Sequence, residues 1–255
     1  MTRIIQKDKL RVEIHDTRTA MGQASAAAIE KALVDHLAEH ESCSMVFAAA
    51  PSQNEVLESL IASKAIDWSR VHAFHMDEYI GLDSSAPQLF ANFLKKAIFE
   101  RVPFASVNYL DGEAEDPEAE AERYSQLLRD HPIDIIVMGV GENGHIAFND
   151  PPVADFNDPQ IVKKVELDMD CKNQQVNDGM FESVDEVPPT ALTLTIPALM
   201  SGTQAFCIVP GPTKANAIQA MLEGPIEESC PASILRTHER AVLYLDVDAA
   251  AKLAE

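Results

Sequence analysis

The residues best equipped for chemistry lie in the run Gly141-Glu142-Asn143-Gly144-His145-Ile146-Ala147-Phe148-Asn149-Asp150-Pro151. Gly139, Gly141 and Gly144 let the backbone turn sharply and approach a ligand closely. They present His145 between two carboxylates, Glu142 and Asp150. A histidine oriented by a carboxylate is a recurrent general acid/base arrangement. A lone histidine is more often structural, but one held in a glycine turn between acids is a stronger candidate for proton transfer. A second candidate is Asp77-Glu78-Tyr79, two adjacent acids flanked by Phe74 and Met76. Apolar neighbours desolvate a carboxylate, raise its pKa and make it a better base. The blander reading is that Asp77 caps a turn or a helix.

Two further stretches suit an anion. Pro51-Ser52-Gln53-Asn54 stands just before a helix-forming segment, where backbone amides and the positive end of the helix dipole are available. It contains no glycine, so it is neither a P-loop nor a dinucleotide fingerprint, and an ordinary Ser or Asn cap accounts for it equally well. Gly211-Pro212-Thr213-Lys214 opens a later helix. Proline and threonine favour a helix start, whereas a cation in the first turn opposes the macrodipole. That placement of Lys214 is explained if it faces an anion; snorkelling to solvent is the alternative.

These residues need strands to end beside them, and the hydrophobic pattern supplies such strands. Leu10 to Ile14 alternates as a strand does, and Asp16 or Thr17 then caps a helix running to about His40. Ser44 to Ala50 is a continuous apolar run typical of a buried parallel strand, followed by a helix over Glu55 to Ser63. A strand over Val71 to Met76 precedes helices over Leu89 to Glu100 and Asp116 to Arg129, and Ile133 to Val140 is the clearest buried strand. Ala205 to Val209, Thr213 to Leu222 and Ala241 to Leu245 continue as strand, helix and strand. Such alternation predicts βαβ units and a mostly parallel sheet covered on both faces, in one domain over residues 1–255. Val153 to Val187 breaks the alternation: it is polar and weakly patterned, with a possible strand over Ile161 to Leu167. Long irregular segments in compact domains are often lids, and 153–187 is expected to be one, with a solvated surface excursion as the equal alternative.

Composition narrows the partners. The chain has 255 residues, 46% of them hydrophobic, enough for one sizeable core. A net charge of −21 argues against nucleic acid and anionic membranes as partners. The same field repels a phosphorylated metabolite, so any phosphate site must be built locally from amides and a few cations. No stretch is long and apolar enough to span a bilayer, and the N-terminal residues lack the apolar run of a secretory signal. Cys43, Cys171, Cys207 and Cys230 are scattered without metal-ligand spacing. Isolated thiols of this kind suit buried structural roles in a reducing compartment, so the cytoplasm is expected, with no metal and no cofactor. Monomer and homo-oligomer are both left open.

Phe74 to Leu82 (FHMDEYIGL) and Met138 to Pro151 (MGVGENGHIAFNDP) closely resemble the two signature segments of glucosamine-6-phosphate deaminases/isomerases. Val187 to Leu199 and Gly211 to Leu222 match later segments of that family more loosely, in the same order along the chain. The related 6-phosphogluconolactonases share the glycine–histidine turn and the lysine but typically lack the MDEY and IAFN context. The resemblance implies a Rossmann-like, three-layer α/β/α domain and a metal-free reaction on a phosphorylated amino sugar. His145 would assist opening of the pyranose ring, and Asp77 would move a proton from carbon 2 to carbon 1. Asp150, matching a family glutamate, would orient the histidine. Pro51, Ser52, Gln53 and Lys214 would hold the phosphate. Three positions depart from the family pattern. Asn143 replaces an aspartate, with Glu142 as its nearest substitute. AAPSQN replaces a glycine-rich phosphate turn. The segment 153–187 has no arginine, leaving Lys172 as the substitute cation of the lid. The expected activity is conversion of glucosamine 6-phosphate, or a relative such as galactosamine 6-phosphate, to a ketose 6-phosphate and ammonia. The alternatives are hydrolysis of a sugar-lactone phosphate and a non-catalytic sugar-phosphate sensor.

Overall fold

A computed structural model describes residues 2–254. In chain order its elements are β1 (Arg3–Lys7), β2 (Leu10–His15), α1 (Arg18–Glu39), β3 (Cys43–Phe47), α2 (Asn54–Ala62), β4 (Val71–His75) and β5 (Asp77–Tyr79). There follow α3 (Phe90–Leu94), β6 (Ser106–Asn108), α4 (Pro117–Asp130), β7 (Ile135–Met138), β8 (Val162–Glu166), α5 (Met169–Asn177) and β9 (Thr190–Leu194). The chain finishes with α6 (Ile196–Met200), β10 (Gln204–Val209), α7 (Ala215–Glu223) and β11 (Ala241–Asp246).

The continuous apolar runs become the centre of the main sheet, whose order is β1-β2-β11-β10-β7-β3-β4-β6. Every pairing in it is parallel except β1 with β2. Every residue of β3 and β7 is buried, because helices cover both faces. Alternate side chains serve opposite layers. Phe47, Ile135 and Ile208 pack with Leu33 of α1 and Leu57 of α2. Val46, Ile136 and Cys207 face Tyr124 of α4, Leu199 of α6 and Ile218 of α7. Thr17 caps α1 by accepting from Ala20 N–H, and Asp116 caps α4 by accepting from the amides of Glu118 and Ala119. The three-layer α/β/α architecture and the mostly parallel sheet are therefore as expected. No helix among the described residues is long and apolar enough to cross a membrane.

A second sheet, β5-β9-β8, is antiparallel and stands beside the carboxyl edge of the first. It has its own apolar cluster, in which Tyr79, Phe90, Phe148, Val165, Cys171 and Phe181 meet. The segment 153–187 is thus more regular than its pattern suggests, since it contains β8 and α5. Asp168 caps α5 by accepting from Cys171 N–H at 2.7 Å. Its inward positions Cys171, Gln174 and Gln175 are largely polar, so no apolar stripe marks the helix in the sequence. The helix expected over Leu89 to Glu100 is also divided, α3 giving way to a π-helical turn over Lys95–Phe99.

Candidate active site

The sheet order reverses between β3 and β7: from β3 the chain proceeds outward to β4 and β6, from β7 to β10 and β11. A crevice at the carboxyl ends of strands at such a switch point is where open α/β sheets bind ligands. Here it is a cavity of about 240 Å³, entered by the residues that follow β3, β4, β7 and β10 and roofed by α5.

The turn after β7 holds His145 against bare backbone. Gly144 has φ +86°, and a Cβ at Gly141 would lie 2.2 Å from His145 Cε1. Glycine is required at both positions, for the left-handed backbone at one and for the close approach at the other. Nδ1 of His145 lies 2.8 Å from Asp150 Oδ1. Asn143 bridges the pair, its Nδ2 donating to Asp150 Oδ1 at 2.9 Å and its Oδ1 accepting from His145 N–H at 3.0 Å. Burial pushes the Asp150 carboxyl up, but the charge of His145 beside it and the hydrogen bond from Asn143 outweigh that and hold Asp150 below the usual range. Ala147 takes φ +48°, a strained value for a residue with a Cβ, and its side chain lines the cavity. Asn149 anchors this strained turn to the second sheet by donating to Leu194 O at 2.8 Å.

Asp77 is the first residue of β5, where the chain leaves the main sheet, and it opens onto the cavity while almost fully buried. Its carboxyl is raised well above the ordinary value by burial first, then by the charges of Glu78 and Asp150. Glu78 points elsewhere, accepting from the amides of Tyr79, Phe90 and Ala91 at 2.8–3.0 Å. Burial still pushes Glu78 up to about 7, with those three amides pulling the other way. His75 fixes the backbone here. Leu110 N–H donates to its Nε2 at 3.0 Å, which leaves the proton on Nδ1 to donate to Asp77 O at 2.9 Å. Burial lowers His75 to about 4, so the ring is neutral at physiological pH.

The other end of the cavity is cationic. Lys214 ends the short 3₁₀ turn Pro212–Lys214 and is 8% exposed. Burial lowers its pKa, opposed by the charges of Asp178 and Glu142. Pro51 and Ser52 stand with it on the cavity wall, and so does Arg18, from the first turn of α1. The Arg18 guanidinium donates to Glu55 Oε1 at 2.7 Å and to Pro51 O, tying it to the turn after β3.

The structure therefore brings Asp77, His145, Pro51, Ser52 and Lys214 onto one cavity, with Asp150 and Asn143 directly behind His145. Besides Asp150 and Asn143, three residues singled out in the sequence do not line it. Gln53 is wholly buried, its amide donating to Ser52 Oγ at 2.9 Å and to Met138 O and Ile208 O at 3.4 and 3.3 Å, so it pins strand ends together. Glu142 gives its N–H to Gln174 Oε1 at 2.7 Å, while Asn143, not Glu142, occupies the place beside Asp150. Lys172 lies next to buried Cys171 on α5 but one step, about 100°, round the helix, and Gln174, Gln175 and Asp178 reach the cavity instead. Arg18 and His75 are not among the residues the sequence points to. Arg18 follows the carboxyl end of a parallel strand, β2, and the rule that locates the other four loops marks it too.

The sequence model of the family glucosamine-6-phosphate isomerases/6-phosphogluconolactonase matches residues 16–244. The chain belongs to this family. It is 34% identical over 206 residues to a glucosamine-6-phosphate deaminase of Lactobacillus delbrueckii subsp. bulgaricus, covering 81% of this chain and 86% of that one. It is 36% identical over 189 residues to the glucosamine-6-phosphate deaminase of Streptococcus pyogenes serotype M1, covering 74% and 78%. A solved structure of a monomeric glucosamine-6-phosphate deaminase superposes with a TM-score of 0.85 at 28% identity, over 94% of this chain and 98% of that one. A 6-phosphogluconolactonase from Thermotoga maritima shares the fold, with a TM-score of 0.73 at 22% identity over 93% and 98%. This member of the glucosamine-6-phosphate isomerase/6-phosphogluconolactonase family is an enzyme with the fold expected from its sequence.

Proposed function

We propose that this enzyme isomerises and deaminates an amino-sugar 6-phosphate, glucosamine 6-phosphate or a close relative such as galactosamine 6-phosphate. The products are a ketose 6-phosphate and ammonia. The observation that carries the reading is the arrangement of one cavity: buried Asp77 and His145, the latter backed by Asp150, open onto it, and Lys214 and Arg18 stand on its wall. A phosphate held by the two cations and the Pro51–Ser52 turn extends the sugar carbons toward Asp77 and His145.

His145 moves a proton between the carbon-1 hydroxyl and the ring oxygen, giving the open-chain aldehyde, and Asp150 supports the imidazolium formed on the way. Asp77 then takes the proton from carbon 2. The released electron pair forms the carbon 1–carbon 2 double bond as the carbonyl π bond opens onto the carbon-1 oxygen. That oxygen takes a proton from the carbon-2 ammonium to complete the enol-amine. The same carboxyl returns the proton to carbon 1, leaving an imine at carbon 2. Water adds there and ammonia leaves, so the ketose phosphate is complete without any redox change. Burial strengthens Asp77 as a base, and an ammonium group at carbon 2 favours its ionised form.

Ammonia and acid release, measured on glucosamine 6-phosphate, galactosamine 6-phosphate and 6-phosphogluconolactone, tests the assignment. Ammonia from one of the amino sugars is the expected result. Acid release from the lactone with no ammonia from either amino sugar overturns it.

A further inference from the structure

Three side chains meet at the edge of the main sheet opposite the cavity. His36 belongs to the last turn of α1, Cys43 is the first residue of β3, and Asp134 immediately precedes β7. Their imidazole nitrogen, thiol sulfur and carboxylate oxygen all lie within 4.8 Å of one another. Nothing in the spacing of these positions along the chain announces the group. The sheet assembles it, because β3 and β7 are neighbours and α1 packs over both.

The separations suit a metal ion. In a tetrahedral zinc site, bonds of about 2.0–2.1 Å to nitrogen and oxygen and about 2.3 Å to sulfur set the ligand atoms roughly 3.4–3.6 Å apart. His36 Nε2 already stands 3.5 Å from Asp134 Oδ2. Bringing the sulfur in from within 4.8 Å takes a shift of at most about 1.3 Å. The surroundings hold the three groups in place. Arg70 donates to Leu37 O at 2.9 Å and to Glu41 O at 2.8 Å, and His40 N–H donates to His36 O at 2.9 Å, which pins the turn from α1 to β3. Asp134 Oδ2 accepts from Ser44 N–H at 2.8 Å. His36 Nε2 also lies 3.0 Å from Ser42 O, and the His40 ring stacks on the imidazole at 4.2 Å. The thiol is wholly buried, whereas the His36 and Asp134 side chains remain 12% and 24% exposed, which leaves a path for an ion from solvent.

We propose that His36, Cys43 and Asp134 bind one zinc ion, with water in the fourth position, and that the ion staples α1 to the amino ends of β3 and β7. A thiolate and an imidazole with one carboxylate select zinc over magnesium or calcium, which take oxygen ligands. On binding, the Cys43 thiol proton leaves to solvent, and neutral His36 gives the lone pair of Nε2 with its proton on Nδ1. The thiolate and the carboxylate then balance the two charges of the ion. β3 carries the chain four residues, about 13 Å, from Cys43 to the end that faces the cavity, so the ion is structural and touches no reacting atom.

The test strips the full chain of metal with a chelator and titrates it with cobalt(II) and zinc against a chromophoric competitor. One ion per chain is expected, with a thiolate-to-cobalt charge-transfer band in the near ultraviolet that zinc abolishes. With free zinc about a hundredfold above its dissociation constant, the melting temperature should rise by about 5 °C. Cys43→Ser should remove the band. His36→Gln and Asp134→Asn, which spare the buried position, should weaken zinc at least about tenfold, the loss expected from disturbing even an outer-shell partner. Cys171→Ser is the control, because Cys171, His145 and Asp150 form a second group of ligating atoms within 4.8 Å, at the active site. The band should survive there. A band lost in Cys171→Ser and kept in Cys43→Ser puts the ion at the active site and overturns the proposal. Zinc bound without the cobalt band, or no binding at micromolar zinc, overturns it as well. None of these readouts needs a substrate, so they stand apart from the outcome of the ammonia assay.

Discussion

Gly141→Ala isolates the contribution of His145 placement from everything else in the cavity. Gly141 lies outside the left-handed region, so its backbone accepts alanine without strain; the three atoms nearest the new methyl all belong to the imidazole. It would stand 2.2, 2.3 and 2.4 Å from Cε1, Nε2 and Nδ1, where ordinary contact begins at 3.4 Å. The ring must retreat by roughly 1 Å or more, a misplacement that costs on the order of a hundredfold in rate. The same retreat breaks the 2.8 Å contact with Asp150. The expected result is a kcat for ammonia release reduced about a hundredfold, or about 2.7 kcal/mol in the barrier, with near-native circular dichroism. Affinity for inorganic phosphate should be nearly unchanged, because Lys214, Arg18 and the Pro51–Ser52 turn do not move. Turnover within a few-fold of the parent, in a variant whose His145 ring is shown by NMR to be displaced, refutes the assignment of ring-opening to His145.

Asp77→Asn keeps size and most hydrogen bonding but removes the base. Solvent deuterium exchange at carbon 2 should fall about a hundredfold or more while sugar-phosphate binding persists, and near-normal exchange excludes Asp77. Lys214→Met should weaken phosphorylated ligands by about 1.5–3 kcal/mol by calorimetry and leave the unphosphorylated sugar unaffected; equal losses for both mean that Lys214 is structural. Arg18→Gln should act in the same direction but more weakly, since the Arg18 side chain is 41% exposed and shared with Glu55. Glu78 rises from 4.5 to about 7 on folding, so the native state keeps a proton that the unfolded chain releases. Stability is lost as pH climbs through that window, by on the order of 3 kcal/mol. Glu78→Gln, neutral throughout, should flatten the pH dependence of thermal melting between pH 5 and 7.5, and parallel profiles for the two proteins would count against it.

The parallel sheet and the glycine–histidine turn are legible in the sequence because each is a local pattern: an apolar run, then glycines and a histidine. The second sheet is not. β5 has only three residues and follows β4 with a single residue between, so no turn signal announces the change of partner. Its pairing with β9 joins Asp77 to Thr193, far along the chain, and no periodicity encodes that. Lys172 illustrates a finer limit. Composition places a cation in the roof, but which side of α5 faces inward depends on polar residues, Gln174 and Gln175, that look solvated in sequence. Gln53 likewise reads as a ligand and is a brace, because the ends of β7 and β10 converge on it only after the sheet has formed.

The position of Asp77 has a mechanical consequence. It is the residue at which the chain passes from the large sheet to the small one, and His75 clamps its carbonyl at 2.9 Å. Strands in a sheet are spaced about 4.8 Å apart, so β8, two strands away, works on a lever arm of roughly 10 Å. A rotation of the small sheet by about 10° around this junction carries β8 through roughly 1.7 Å, while Asp77, at the fulcrum, hardly moves. Any movement of the cavity roof about this junction would leave the Asp77 backbone nearly where it is. A point substitution that loosens the clamp at His75 gives up that separation of moving and stationary parts.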